Sequence, residues 1–293
     1  MAMAKKPRKD TEDKSPSISN SSGSDDLSYD TDNESSSSVE SGLEIPVDFQ
    51  GHSITLSDYY GIKQLIQSLL PNSQINMSEL TELVVSQKEV GSVVKFCAAQ
   101  GMDSEGSDIE EVDDVLALAT VINLTLHKEK ESVKQLKSFI LEKAKMGTDC
   151  FSKLSAVFSS TSQPVGLLIC ERFLNIPVHL AVPLLQAVNT EVTEACKKGN
   201  AFKFKYYLVL ARTHIQASSM KRKRKGKGKG IKDKSTLGFD FTETEYMYKE
   251  SVLNFTYPVE EDSGVSNDAY RTVILLPVEK LDLILTTIQH ELI

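Results

Sequence analysis

The sequence has none of the patterns that commonly mark an enzyme or a membrane protein. It contains no Gly-x-Ser-x-Gly, no Walker-type phosphate loop and no His-Glu-x-x-His, the motifs that indicate a serine hydrolase, a nucleotide site or a zinc hydrolase. No apolar run is long enough to cross a bilayer, and the N-terminus lacks the apolar core of a signal peptide. We therefore expect a soluble intracellular protein that is not an enzyme and has no membrane partner.

Cysteine and histidine are too few and too scattered to predict a disulfide framework or a metal site. The four cysteines are far apart and form no Cys-x-x-Cys, which favours free thiols in a reducing compartment: Cys97, Cys150, Cys170 and Cys196. The five histidines have no cysteine or carboxylate at metal-ligand spacing: His52, His127, His179, His214 and His290. We predict neither a metal nor a cofactor.

The first 43 residues are rich in Ser, Asp and Glu and contain almost no large apolar side chains. Such a segment buries too little apolar surface to offset the entropy lost on ordering, so 1–43 is predicted to be a disordered acidic tail. Four hydroxyl residues have an acidic residue three positions on, the pattern of an acidophilic kinase site: Ser22, Thr31, Ser37 and Ser41. The tail is either a phosphorylation target or only a solubilising segment.

Residues 44–293 are predicted to form a single α/β domain that carries two charged loops. The first loop, 101–114, has seven carboxylates and no basic residue: Asp103, Glu105, Asp108, Glu110, Glu111, Asp113 and Asp114. It lacks the alternating ligands and central glycine of an EF-hand, so a solvated loop that binds a partner is favoured over a Ca²⁺ site.

The second loop, 218–236, is strongly basic. Its five consecutive cations are followed by alternating glycine and lysine: Lys221, Arg222, Lys223, Arg224 and Lys225. This run is typical of a nuclear import signal, which binds an acidic groove on an import receptor. RNA binding is the alternative, although the loop has no interleaved aromatic residues to stack on bases. An inert solvated loop is the third interpretation.

Hydrophobic periodicity predicts a mixed α/β sheet with flanking helices. The apolar run 165–170 lies between Pro164 and a Glu-Arg pair, and predicts a central strand that is buried on both faces. Further strands are predicted at 45–49, 91–96, 115–126, 202–210, 246–257 and 270–276. Apolar stripes with helical spacing predict helices that begin near 57, 78, 133, 151 and 281, and a further helix that begins at either Pro177 or Pro183.

Glu171 and Arg172 directly follow the central strand, and Asn175 lies in the next turn. A catalytic pair is conceivable for two such charges. A buried structural ion pair, with Asn175 holding the turn, is the favoured interpretation because buried charges are tolerated when they are paired.

The stretch 164–177, Pro-Val-Gly-Leu-Leu-Ile-Cys-Glu-Arg-Phe-Leu-Asn-Ile-Pro, resembles the signature of the BCCIP family. Shorter matches include Asp-Tyr-Tyr-Gly-Ile-Lys at 58–63, Gly-Ser-Val-Val-Lys at 91–95 and Arg-Thr-Val-Ile-Leu-Leu-Pro at 271–277. The layout is also similar, with an acidic head and a lysine-rich insertion before the last strands.

The resemblance implies a mostly antiparallel sheet similar to the GCN5-type acetyltransferase fold, but no acetyltransferase activity. It also implies a nuclear protein that shuttles to the cytoplasm. Such a protein would chaperone a basic ribosomal protein of the large subunit and support ribosome biogenesis and nuclear export. Animal members are named for a recombination mediator and a cyclin-dependent-kinase inhibitor, which implies roles in recombination repair and cell-cycle control. An acyl-CoA-dependent transferase is the disfavoured alternative, because the Arg/Gln-x-x-Gly-x-Gly/Ala pyrophosphate loop is missing.

Overall fold

An open sheet of eight strands runs through the described part of the fold. The computed structural model describes residues 48–96, 114–145, 149–199, 201–216, 236–260 and 269–292, all within one compact unit, Pro46–Ile293. The strands are β1 (Phe49–Ser53), β2 (Ser92–Phe96), β3 (Ala117–Asn123), β4 (Val165–Arg172), β5 (Tyr206–Gln216), β6 (Thr236–Phe239), β7 (Leu253–Pro258) and β8 (Ala269–Pro277). The helices are α1 (Tyr59–Leu69), α2 (Met77–Ser86), α3 (Glu131–Ala144), α4 (Cys150–Ser159), α5 (Ala181–Lys198), α6 (Thr242–Lys249) and α7 (Leu281–Leu292).

The strand order is β1-β2-β3-β4-β5-β8-β7, with β6 beside β5. Every described pairing is antiparallel except β4 with β5, which is parallel and is joined through α5. The predicted mixed, mostly antiparallel α/β architecture is therefore confirmed.

Helices cover both faces of the sheet. Side chains of α1 to α4 share one apolar core with one face, and side chains of α5, α6 and α7 share a second core with the other. The central strand β4 supplies both cores: Leu167 and Ile169 enter the first, while Leu168 and Cys170 enter the second. This two-sided burial explains why the sequence of the strand is a continuous apolar run. Burial of each Leu or Ile side chain contributes roughly 1.5–3 kcal/mol to the stability of the fold.

The strand predicted over 246–257 is wrong in its first half. Residues Thr242–Lys249 form helix α6, and strand β7 begins only at Leu253. Glu243 and Met247 are four positions apart and both buried, so they lie on the same face of α6. The carboxylates of Glu243 and Glu245 also favour a helix start. The alternation of Tyr246 and Tyr248 around Met247 concealed this helical pattern.

None of the helices in the described ranges is both long and apolar enough to cross a bilayer.

Candidate functional site

Strands β4 and β5 separate at their carboxyl ends. They pair only over Val165–Leu168 and Tyr206–Val209, although both strands continue beyond. Farther along, β6 takes the place of β4 beside β5. The carboxyl ends of parallel strands are where open α/β sheets form ligand crevices. A small-molecule site in this fold is therefore expected at the gap between β4 and β5.

Phe241 fills this gap. It directly precedes α6, and its side chain is 2% exposed. Asp240 N donates a hydrogen bond to Arg212 O at 3.1 Å, which ties the segment entering the gap to β5. The guanidinium carbon of Arg172 lies 4.1 Å from the ring centroid of Phe241, and that of Arg212 lies 5.5 Å away. The ring is thus held between two cations in cation–π geometry.

An ion pair closes the gap on the face of α5 to α7. Arg172 on β4 donates to both carboxylate oxygens of Glu243 on α6, and the Nη2–Oε2 distance is 3.3 Å. Arg172 is 5% exposed and Glu243 is 1% exposed. The guanidinium fork therefore attaches α6 to the central strand through a bidentate contact that is excluded from water.

A second ion pair lies on the opposite face of the sheet. Arg212 of β5 donates from Nη2 to Glu171 Oε2 and, at 2.7 Å, to Ser68 Oγ of α1. Burial raises the pKa of Glu171 to about 7, and the neighbouring cations Arg212 and Arg271 only partly oppose this shift. Glu171 is therefore a carboxyl that titrates near neutrality inside the fold.

Arg271 of β8 completes the cluster. Its guanidinium donates to the carbonyl oxygens of Leu69, Ser68 and Tyr270, each at 2.9 Å. The bonds to Leu69 and Ser68 satisfy carbonyls at the C-terminal end of α1, which have no partner within the helix. Burial lowers the pKa of Arg271. The arginine thus has a structural role in joining α1 to the sheet.

The predicted Glu171–Arg172 pair is wrong. Adjacent strand residues point to opposite faces, so each side chain pairs with a distant partner, Arg212 or Glu243. Asn175 is exposed in the following turn and forms no hydrogen bond within the described residues. The burial of the two charges was predicted correctly, but their partners were missed. The sequence did contain a signal for one partner. Arg212 lies two positions after Leu210 and four after Leu208, so strand alternation predicts that it points inward with them.

Most of the other predicted site residues lie outside the described residues. This holds for the kinase candidates Ser22, Thr31, Ser37 and Ser41, for the cations Lys221, Arg222, Lys223, Arg224 and Lys225, and for the carboxylates Asp103, Glu105, Asp108, Glu110, Glu111 and Asp113. Asp114 is described and is exposed shortly before β3.

The fold brings the attachment points of the acidic segments to one end of the sheet. Phe49 at the start of β1 is paired with Phe96 at the end of β2, and their ring centroids are 5.7 Å apart. Leu116, just ahead of β3, donates from its N to Val94 O of β2 at 2.8 Å. The acidic sequence ending at Asp48 and the acidic sequence 97–113 therefore both join the fold at this end, which we call the acidic end.

The described residues contain no group of three or more His, Cys, Asp or Glu that could hold a metal ion. Cys150, Cys170 and Cys196 are free thiols, and burial raises the pKa of Cys170 well above its ordinary value. A thiol in that environment is inert rather than nucleophilic.

Comparison with known proteins identifies relatives over most of the chain. The model of the BCCIP family matches residues 44–251. A Bos taurus protein named BRCA2 and CDKN1A-interacting protein is 31% identical over 264 residues, covering 85% of this chain and 84% of its own length. Protein BCP1 of Gibberella zeae is 30% identical over 209 residues, covering 70% of this chain and 68% of its own length.

One similar solved structure is BCP1 from Saccharomyces cerevisiae. It superposes with a TM-score of 0.58 at 14% identity, covering 87% of this chain and 93% of the yeast chain. At that identity the likeness concerns the fold. The name of the bovine relative describes an interacting protein, and neither it nor the name BCP1 is the name of an enzyme.

Proposed function

This chain belongs to the BCCIP family, and on that premise we propose that it is a non-enzymatic nuclear chaperone or adaptor for a basic ribosomal protein of the large subunit. Support for an interaction role comes from the bovine and mouse relatives, whose names state that those proteins interact with BRCA2 and CDKN1A. A recombination mediator and a cyclin-dependent-kinase inhibitor are accordingly proposed as further partners.

The observation that carries this proposal is the acidic end of the sheet. Residues 25–48 contain eight carboxylates and no Lys or Arg, and the loop 101–114 contains seven more. Both join the fold beside the paired ends of β1 and β2. Acidic segments attached at neighbouring points of the fold favour a cationic client and speed its capture, because like charges on a protein create a field that steers the opposite charge. Newly made ribosomal proteins are cationic, so they match this field.

The filled gap between β4 and β5 supports the non-enzymatic part of the proposal. A coenzyme at the carboxyl ends of these strands would need the volume that Phe241 and α6 occupy. Opening that volume would separate Arg172 from Glu243 inside a dry environment, which is costly. We infer that a GCN5-type sheet has here been closed by side chains, and that no acyl-CoA substrate is turned over.

Neutralising the acidic loop is expected to reduce capture of large-subunit ribosomal proteins by about tenfold at physiological salt, because the client loses the electrostatic attraction of seven carboxylates. The variant replaces Asp103, Glu105, Asp108, Glu110, Glu111, Asp113 and Asp114 by the corresponding amides. Capture from a ribosomal-protein fraction is measured by affinity purification and mass spectrometry.

The matched control changes the same number of charges in the N-terminal segment, at Asp25, Asp26, Asp30, Asp32, Glu34, Glu40 and Glu44. A smaller loss in this control places the principal attraction in the loop. Capture that is unchanged in both variants and insensitive to salt would contradict the electrostatic mechanism.

The basic loop is proposed to direct nuclear import. Replacing Lys221, Arg222, Lys223, Arg224 and Lys225 by alanine is expected to reduce the nuclear-to-cytoplasmic ratio of a fluorescent fusion severalfold, because an acidic receptor groove loses its cationic ligand. The control replaces the N-terminal cations Lys5, Lys6, Arg8 and Lys9. An effect only in the control would assign import to the N-terminus. Loss of salt-sensitive RNA binding with normal import would instead favour the RNA-binding alternative.

A further inference from the structure

The two edges of the sheet differ in how they are protected. Strand β7 forms one edge, and buried residues alternate with more exposed ones along it. Helix α4 packs beside β7, where Cys150 Sγ donates a hydrogen bond to Asn254 O at 3.7 Å. β1, at the other edge, has Phe49 half-buried and its other four residues exposed. An unprotected edge strand is a template for another strand, and folded proteins usually cover or shorten it.

The outer backbone of β1 is available for pairing. In an antiparallel pair, alternate residues exchange hydrogen bonds with the neighbour and the others turn their N–H and C=O groups away. β1 pairs only with β2, and no described strand lies on its outer side. A five-residue strand therefore offers one row of backbone donors and acceptors to solvent.

An open groove lies beside this edge, on the face of α5. It has a volume of about 410 Å³, and its apolar walls come from Phe49 of β1 and from Leu180, Pro183, Leu184 and Ala187 in and just before α5. Gly51 lies in the floor of the groove, and a Cβ added there would meet no atom within 4 Å. The groove therefore has room for side chains that the chain itself does not supply.

We propose that β1 and the groove beside α5, together called the edge site, bind an extended cationic protein segment by strand addition. The proposal deepens the proposed function and rests on it for the identity of the client. Backbone bonds to β1 would hold the segment, and alternate side chains would enter the groove.

Charge at both ends of the edge site specifies a cationic occupant. Asp48 and Asp114 lie at the acidic end, where the chain on either side carries further carboxylates. At the opposite end, the carboxylate of Glu191 accepts hydrogen bonds from Gly91 N at 2.8 Å and from Ser92 Oγ at 3.0 Å. Ser92 is paired with Ser53, the last residue of β1. A segment lying along β1 thus runs between the acidic end and the carboxylate of Glu191.

The occupant is therefore an extended segment in which Lys or Arg alternates with small apolar residues. The apolar set would face Leu184 and Ala187, and the cations would face solvent and the acidic end. The half-exposed ring of Phe96, 48% exposed beside Phe49, offers a cation–π contact at that end. An acidic segment would be repelled at both ends.

The test uses the full chain and a short fluorescein-labelled peptide in which lysine alternates with valine and threonine. We expect saturable binding in fluorescence anisotropy, weakened at least about tenfold by Gly51→Phe, because the new side chain fills the groove. Gly199→Phe is the matched control, since a Cβ at Gly199 also meets no atom within 4 Å but lies away from β1. Circular dichroism and thermal melting check that both variants are folded.

Two altered peptides test the mode of binding. N-methylation of alternate peptide nitrogens is expected to abolish binding, because strand addition requires those donors. Replacing every lysine of the peptide by glutamate is also expected to abolish binding, because the carboxylates around the edge site repel an acidic peptide. Equal binding of either altered peptide, or equal binding to Gly51→Phe and wild type, would overturn the proposal. Dimerisation that Gly51→Phe abolishes would show that a second copy, not a client, occupies the edge.

Measuring the capture of ribosomal proteins distinguishes a failure of the edge site from a failure of the proposed function. Undiminished capture by Gly51→Phe would place the client elsewhere and overturn the edge site while leaving the chaperone role intact. Peptide binding by a wild-type protein that captures no ribosomal protein would support the edge site and contradict the proposed client.

Discussion

Replacing Glu243 by alanine is expected to lower the free energy of unfolding by about 3–5 kcal/mol, which is the usual cost of leaving one member of a buried ion pair without its partner. Arg172 is 5% exposed, so its guanidinium would stay buried without a carboxylate partner. Its only described carboxylate partner in an ion pair is Glu243. Urea unfolding followed by circular dichroism measures the change.

A double replacement separates the ion pair from its packing. Combining Arg172→Met with Glu243→Leu keeps most of the buried volume and removes both charges, so stability is expected to return close to that of the wild type. The exposed pair Lys197–Glu194 is the matched surface control, and Glu194→Ala is expected to leave the unfolding midpoint unchanged. If Glu243→Ala behaved like Glu194→Ala, the buried pair would not hold α6 against the sheet.

The second large effect is a pH dependence that originates at Glu171. Its pKa is about 7 in the folded protein because burial penalises the charged form, against an ordinary value of 4.5. Between these two values the folded state holds more protons than the unfolded state. Stability from this group is therefore greatest below about pH 4.5, falls as pH rises through the window, and levels off at about pH 8, one unit above the folded pKa. A shift of this size corresponds to roughly 3 kcal/mol.

Glu171→Gln isolates this effect. The glutamine does not titrate, so the stability of the wild type minus that of the variant is expected to fall by roughly 3 kcal/mol between about pH 5 and about pH 8. The change with pH is the readout, because the substitution also alters the hydrogen bond from Arg212 at every pH. His127 contributes equally to both proteins, and burial lowers its pKa. A pH-independent difference would show that Arg212 and Arg271 keep Glu171 ionised throughout.

Both expected effects come from one structural feature, the closed gap between β4 and β5. The two ion pairs lie on opposite faces of the sheet, and Phe241 packs against an arginine from each. The closed gap holds four charged side chains in two structural ion pairs, Arg172–Glu243 and Arg212–Glu171. Among the described residues, the edge of β1 is exposed, and it is the feature on which we base the proposed binding of a partner segment.

Local sequence was sufficient for elements whose apolar spacing has a single solution. The helix predicted from 57 is α1, the run 165–170 lies within β4, and the strand predicted within 115–126 is β3. It was insufficient for α6, where two tyrosines around Met247 imitate a strand and only burial of Glu243 against Arg172 reveals a helix. The strand predicted at 202–210 begins instead at Tyr206, because Lys205 N bonds to Pro164 O outside the ladder.

The sequence by itself determined the family and the mixed α/β class of the fold. It also determined the charge of the long segments and the burial of Glu171 and Arg172. These properties depend on residue type and short-range spacing. Only the tertiary structure decided that Glu171 pairs with Arg212, 41 residues along the chain, and that Arg172 pairs with Glu243, 71 residues along. It also decided that two acidic segments join the fold at one end, beside the exposed edge strand β1. Those outcomes depend on strand order and register, which are set by the packing of the whole chain and leave no local trace.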